Sequence, residues 1–152
     1  MVPDRIESEV LIQAPVDVVW SIVTEAEHVG KWFSDSAEIE LEPGGKAVLN
    51  WDEYGTRLGR VERVEPPRFI SFRWARPAGA EPTEGNSTLV EFTLSAEGEG
   101  TRLQVVESGF RELDGTDEEK AEYAEGNTRG WAKELGELGE YVSEHVGAPA
   151  RR

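Results

Sequence analysis

Glu107 is the residue of this sequence best placed to do chemistry. Residues 101–109 alternate in character, and Leu103, Val105 and Glu107 share one parity, which aims the carboxylate into the same interior as its apolar neighbours. A carboxylate there is desolvated, and its pKa rises unless donors satisfy it. Two roles follow. In one, Glu107 binds a ligand's donor or works as a general acid or base. In the other it is structural, paired with an Arg or wet at the sheet edge where the strand bends toward Gly109. Either way a partner is expected: a hydrogen bond from an Arg, Tyr, Trp or Asn side chain, or a pocket wide enough to admit water.

The second chemical signal is aromatic. Trp32, Phe33, Trp51, Phe72, Trp74, Phe92, Phe110 and Trp131 are spread over segments expected to face one interior. Rings so placed either fill a core or line a pocket that holds an apolar or aromatic ligand by stacking and area burial. Trp74 and Trp131 are the expected walls, Glu107 or Asn127 the polar anchors, and Val105 and Leu135 complete the candidate lining. Trp51 and Tyr54 flank a short turn that forms part of a cavity mouth or a hairpin pair. Asn127 and Gly130 lie near the inner stripe of the last helix, with Gly126 close by. Three poor helix formers in little more than a turn read as close backbone packing with a bend, or as room for a ligand; close packing is the default.

Other chemistries lack their residues. Gly44-Gly45-Lys46 continues into Ala47 where a phosphate loop needs Ser or Thr, and a strand follows where a helix should, so a hairpin turn is the better reading. His28 and His145 have no metal-ligand spacing, and no nucleophile-elbow sequence supports a Ser-His-Asp triad. With no cysteine there is no disulfide, thiolate site or catalytic thiol. No metal or cofactor is expected. The formal charge is −15, from 31 acidic and 16 basic residues, and this field repels phosphate backbones and anionic headgroups. Nucleic acid and membrane are therefore not expected as partners. The N-terminus has no signal-peptide pattern and no apolar run is long enough to span a bilayer, so a cytoplasmic location is expected.

The elements that must position these residues are legible from periodicity. Residues 5–13 alternate, with Ile6, Val10 and Ile12 on one face, and only Leu11 breaks the pattern. Pro15 suits a first helical turn, and Val16, Val19, Trp20 and Val23 then follow at helical spacing. Thr24 is a candidate N-cap for a second short helix carrying Ala26, Val29 and Phe33. Six more strands are expected at 37–41, 47–51, 57–65, 68–75, 87–95 and 101–109, separated by turn signals. From Asp117 the period becomes helical, with Ala121, Ala124, Thr128, Trp131, Leu135, Leu138 and Val142 as one stripe and Asp114, Thr116 and Asp117 as candidate caps. Continuous to Val146, this helix is about 45 Å long, enough to cross a twisted sheet. A frayed tail is expected at 147–152.

Five ordered strings carry a family resemblance: Ala14-Pro-Val-Asp-Val-Val-Trp20, Thr24-Glu-Ala-Glu-His-Val-Gly-Lys-Trp-Phe33, Gly59-Arg-Val-Glu-Arg-Val-Glu-Pro-Pro-Arg-Phe-Ile-Ser-Phe-Arg-Trp74, Glu107-Ser-Gly-Phe110 and Gly130-Trp-Ala-Lys-Glu-Leu-Gly-Glu-Leu138. Over almost the whole chain they resemble the SRPBCC superfamily, also called START-like or Bet v 1-like. Specifically, they resemble the branch named for its similarity to the C-terminal domain of the activator of the Hsp90 ATPase. The resemblance implies an α+β helix-grip fold: a seven-stranded curved antiparallel sheet, two short helices after the first strand, and a long C-terminal helix with a cavity between helix and sheet. It implies one domain, 1–152, ordered over about 5–146. Function is less constrained, because the branch shares a shape and no catalytic motif. The leading expectation is a small-molecule-binding protein for an apolar or aromatic ligand, without enzymatic activity. Two alternatives stand beside it: a START-like cyclase or hydrolase using an inward carboxylate, and a protein-interaction module resembling an Hsp90 co-chaperone. A homodimer and a chaperone partner are left open. The Hsp90 activator itself has an additional N-terminal domain that this chain is too short to contain, so direct ATPase activation is not expected.

Overall fold

Period-two alternation through the first two-thirds of the chain, and helical periodicity after Asp117, fold into one antiparallel sheet with a helix across it. The structure, a computed structural model, describes residues 2–144. The expected extension of the last helix to Val146, the tail at 147–152 and His145 lie outside the described residues. In chain order the elements are β1 (Arg5–Ile12), α1 (Val16–Thr24), α2 (Ala26–Trp32), β2 (Ser36–Ile39), β3 (Lys46–Trp51), β4 (Gly55–Glu65), β5 (Phe69–Ala75), β6 (Ser87–Glu97), β7 (Gly100–Ser108), a single 3-10 turn (Phe110–Glu112) and α3 (Asp117–Val142). The sheet order is β1-β7-β6-β5-β4-β3-β2, so the two short helices bridge its opposite edges. This is the helix-grip architecture.

Burial follows the parity read from the sequence. On β6, Thr88, Val90, Phe92 and Leu94 are buried, and on β7 so are Leu103, Val105 and Glu107. Leu11, the residue that breaks the β1 alternation, is exposed. Along α3, Trp131, Leu135, Leu138 and Val142 form the buried stripe that closes the concave face. Each fully buried side chain of this size contributes about 1.5–3 kcal/mol relative to exposure. α3 starts in a reciprocal capping box: the Thr116 hydroxyl accepts from the Glu119 amide at 3.1 Å, and the Thr116 amide donates to Glu119 Oε1 at 2.9 Å.

Three local expectations are corrected. Thr24 is not an N-cap; its hydroxyl donates back to the Trp20 carbonyl at 2.7 Å, ending α1, and Glu25 stands at the head of α2 without a side-chain cap. Thr128 is exposed and also bonds backward, to Ala124 O at 2.9 Å, because the inward face at that turn belongs to Asn127. Pro15 occupies the N-cap of α1, one residue ahead of its first turn.

Glycine is required beside the site at two places. A Cβ on Gly59 would lie 2.7 Å from the Arg73 carbonyl oxygen and 3.5 Å from Trp74 Cβ, so only glycine lets β4 run flat beside Trp74. Gly109 has φ 97° and redirects the chain after β7. Phe110, expected in the ligand site, is turned by it into a separate cluster with Val2, Leu113 and Ala124.

Candidate functional site

The Glu107 carboxylate is fully enclosed at 0% exposure, and four neutral side chains donate to it. Thr88 Oγ1 and Trp74 Nε1 reach Oε2 at 2.6 and 3.0 Å. Trp131 Nε1 reaches Oε1 at 2.9 Å, and Asn127 Nδ2 reaches both oxygens at 3.0 Å. The partners come from β5, β6 and α3, so the carboxylate ties the helix to the middle of the sheet. Trp and Asn donors were expected; Thr88 was not. A carboxylate offers about four acceptor sites, and here they are occupied by protein donors. It is thus a poor base or nucleophile toward any ligand, and its chemical effect is to fix the two indoles.

Those indoles form one wall of a cavity of about 460 Å³ between the β3–β4 hairpin, β5 and the middle of α3. Phe33, Trp51, Trp74 and Trp131 supply its rings, Tyr54 stands at the rim, and Arg57, Asn127, Lys133 and Glu134 bring polar groups. Phe33 stacks on Trp131 with centroids 5.5 Å apart, and Trp131 stacks on Trp74 at 5.7 Å. Such pairs add about 0.5–1.5 kcal/mol each beyond area burial and hold the wall rigid. Trp51 Nε1 donates to the Phe33 carbonyl at 3.0 Å, fastening the rim.

The structure therefore brings Phe33, Trp51, Tyr54, Trp74, Asn127 and Trp131 together around one space. It places the other expected residues elsewhere. Glu107 lies behind the wall. Trp32, Phe72 and Phe92 border a separate void of about 40 Å³ beneath α1 and α2, and Val105 and Leu135 are packed core. The default reading of the helix glycines also fails. Gly126 and Gly130 line the cavity, and a Cβ built at either meets nothing within 4 Å, so they border open space rather than a close backbone contact.

Sequence reasoning missed Arg57, Lys133 and Glu134. Arg57 shares the inward parity of Gly59 and Val61, and Glu134 completes the i, i+3, i+4, i+7 set begun by Asn127, Gly130 and Trp131; both signals were available. The Arg57 guanidinium lies 3.8 Å from the Trp74 ring centroid, donates through Nε to the Ala75 carbonyl at 3.2 Å, and bonds the Tyr123 hydroxyl through Nη2. Burial holds the Tyr123 hydroxyl above its ordinary pKa, against the opposing pull of Arg57. Among the described residues no cluster of His, Asp and Glu is arranged to hold a metal ion, and no helix is long and apolar enough to cross a membrane. His28 instead fastens α2 to α3, its Nδ1 lying 2.7 Å from the Tyr141 hydroxyl.

Glu134 is half-buried, and its Oε1 is enclosed without a hydrogen-bond partner. Burial first, and then the neighbouring Glu137 carboxyl, push its pKa up to about 8, while Lys133 acts in the opposite sense. With an unfolded value near the ordinary 4.5, the folded state holds the extra proton between those limits. The corresponding stability is fully present below the unfolded pKa and is lost as pH rises to about 8. Glu134→Gln, which mimics the protonated form, should match the wild type in urea titrations at pH 5 and exceed it at pH 9. An unchanged difference between those pH values would remove the shift.

The chain matches the family described as activator of Hsp90 ATPase homolog 1-like protein over residues 13–143. Comparison with curated proteins gives no match. Among solved structures, protein MLL2253 from Mesorhizobium loti is 20% identical with a TM-score of 0.78, over 93% of this chain and 98% of that one. DynU16, a protein in the dynemicin biosynthetic locus, is 26% identical with a TM-score of 0.75, over 99% of this chain and 50% of its own. The Aha1 dimer from Colwellia psychrerythraea is 17% identical with a TM-score of 0.72, over 94% of this chain and 97% of that one. At 20% and 17% identity, the first and third likenesses show the fold alone.

Proposed function

The chain belongs to the activator of Hsp90 ATPase homolog 1-like family, and from that premise we propose that it binds an apolar or aromatic small molecule in the cavity beneath α3. The observation that carries this reading is the 460 Å³ space walled by Phe33, Trp51, Trp74 and Trp131, within the roughly 300–1,000 Å³ usual for ligand sites. Its walls are fixed before any ligand arrives, because Glu107 holds both Trp74 and Trp131 by their ring nitrogens. Preorganised rings bind without a large ordering cost.

The test is fluorescence titration with N-phenyl-1-naphthylamine, a neutral aromatic probe, together with native mass spectrometry of gently purified protein for retained small molecules. Saturable micromolar binding is expected, and Gly130→Leu, which projects a side chain into the cavity, should weaken it by at least about tenfold without loss of fold. Absence of both probe binding and a retained molecule would overturn the reading.

A second reading, an enzyme of the cavity, rests on Glu134 rather than Glu107. A carboxyl protonated near neutrality beside an aromatic cavity is equipped to act as a general acid. Its distinguishing result is turnover of a bound compound that Glu134→Gln abolishes while binding persists. The interaction-module reading has less support, since the exposed large apolar residues Leu11, Leu41 and Tyr54 lie at opposite sheet edges and a hairpin tip rather than in one patch. The Aha1 likeness is one of fold, so no dimer or chaperone contact is proposed from it.

A further inference from the structure

We propose that the ligand is an amphipathic organic anion whose acidic group is held by Arg57 while its apolar part lies along the Trp74–Trp131 wall. This deepens the small-molecule reading and rests on it. Arg57 reaches the concave face by strand parity, where its neighbours Leu49, Gly59 and Val61 are apolar or small. A guanidinium carries five N–H donors. Among the described residues Arg57 uses Nε on Ala75 O and Nη2 on the Tyr123 hydroxyl, and Nη1 bonds to no protein group.

Nor does it have a carboxylate partner, in a protein with 31 acidic residues. The other cation of the cavity, Lys133, is already paired with Glu137 at 2.9 Å. Arg57 is thus a cation on a cavity wall with its charge unmatched, while the stacking on Trp74 and the two hydrogen bonds hold its plane in place. A fixed, planar, partly desolvated guanidinium is the arrangement that recognises a carboxylate or sulfonate through charge-assisted bonds. Its link to the buried Glu107 runs only through neutral groups: Trp74, on whose ring it stacks, also donates to Glu107. If long-range balance of that carboxylate were its whole role, replacing it would change stability and leave ligand charge selectivity untouched.

Two aromatic probes with one skeleton separate these roles. 8-Anilinonaphthalene-1-sulfonate carries an anionic group that N-phenyl-1-naphthylamine lacks. Arg57→Met is expected to weaken the sulfonate probe by at least about tenfold more than it weakens the neutral probe. A variant-free arm covers poor folding of Arg57→Met: in the wild type, 1-naphthoate should displace the neutral probe at about tenfold lower concentration than 1-naphthamide, despite the net charge of −15. If the neutral probe binds but the acid and amide compete equally, or if Arg57→Met weakens both probes alike, the anion assignment falls and the cavity reading stands. If neither probe binds the wild type and no small molecule is retained by the purified protein, both fall.

Discussion

Glu107→Gln is expected to destabilise the protein by about 2–5 kcal/mol, a large share of the roughly 5–15 kcal/mol typical of a domain. The amide keeps the shape of the side chain but replaces one acceptor oxygen with an NH2 group. Whichever way it is turned, that group meets donors: Thr88 Oγ1 and Trp74 Nε1 on one side, or Trp131 Nε1 on the other, with Asn127 Nδ2 against both. Each buried donor left without an acceptor costs about 1–3 kcal/mol, and the terms are not additive within one network. Glu107→Ala removes the carboxylate acceptor of Thr88, Asn127 and Trp131 and leaves Trp74 Nε1 only the Thr88 hydroxyl, at 3.1 Å, and should leave little folded protein at ambient temperature. A urea titration measures the change directly. A Glu107→Gln protein as stable as the wild type would mean that the carboxylate is not the tie between α3 and the sheet. In that variant, measured where it remains folded, neutral-probe affinity should stay within about threefold, because Glu107 does not border the cavity.

Trp131→Ala should cost about 3–5 kcal/mol. The indole is only 3% exposed, stacks on Phe33 and Trp74, meets Phe92 edge-on at 5.8 Å, and fills one of the acceptor sites of Glu107. Its removal therefore opens a hole and takes one of four donors from the buried carboxylate together. Collapse of the surroundings is opposed by the rigid sheet on one side and the existing cavity on the other, which places the effect toward the upper end of that range. The expected readouts are a lowered denaturant midpoint and loss of probe binding, since one wall of the site is gone. A midpoint shift near zero would show that the inner stripe of α3 contributes little to the core.

These two residues illustrate what was legible in the sequence. The inward direction of Glu107 follows from strand pleat, and the buried stripe of α3 from helical period; both are consequences of backbone geometry and require no knowledge of neighbours. Which donors meet Glu107 was not legible in the same way. Trp74 is 33 residues away and Trp131 is 24, and they meet only because β5, β6 and β7 are adjacent and α3 crosses them. Phe110 shows the converse error. Its aromatic character fitted the site, but one residue of left-handed backbone at Gly109 sent it to another cluster. Thr24 and Thr128 were misassigned because a hydroxyl can bond backward to a helix carbonyl as readily as forward to an amide.

Periodicity alone carries the order and type of the elements, the face each strand and α3 turns inward, and an aromatic interior with one carboxylate in it, because covalent geometry imposes periods of two and 3.6 residues on any buried pattern. Tertiary structure alone decided that the carboxylate would be saturated behind the wall, that Gly126 and Gly130 would face open space, and that Arg57 and Glu134 would border the cavity with an unmatched charge and an unpaired oxygen. The reason is that solvation and pairing depend on which distant side chains converge on a point. That convergence is set by sheet order and helix crossing, on which local periodicity carries no information.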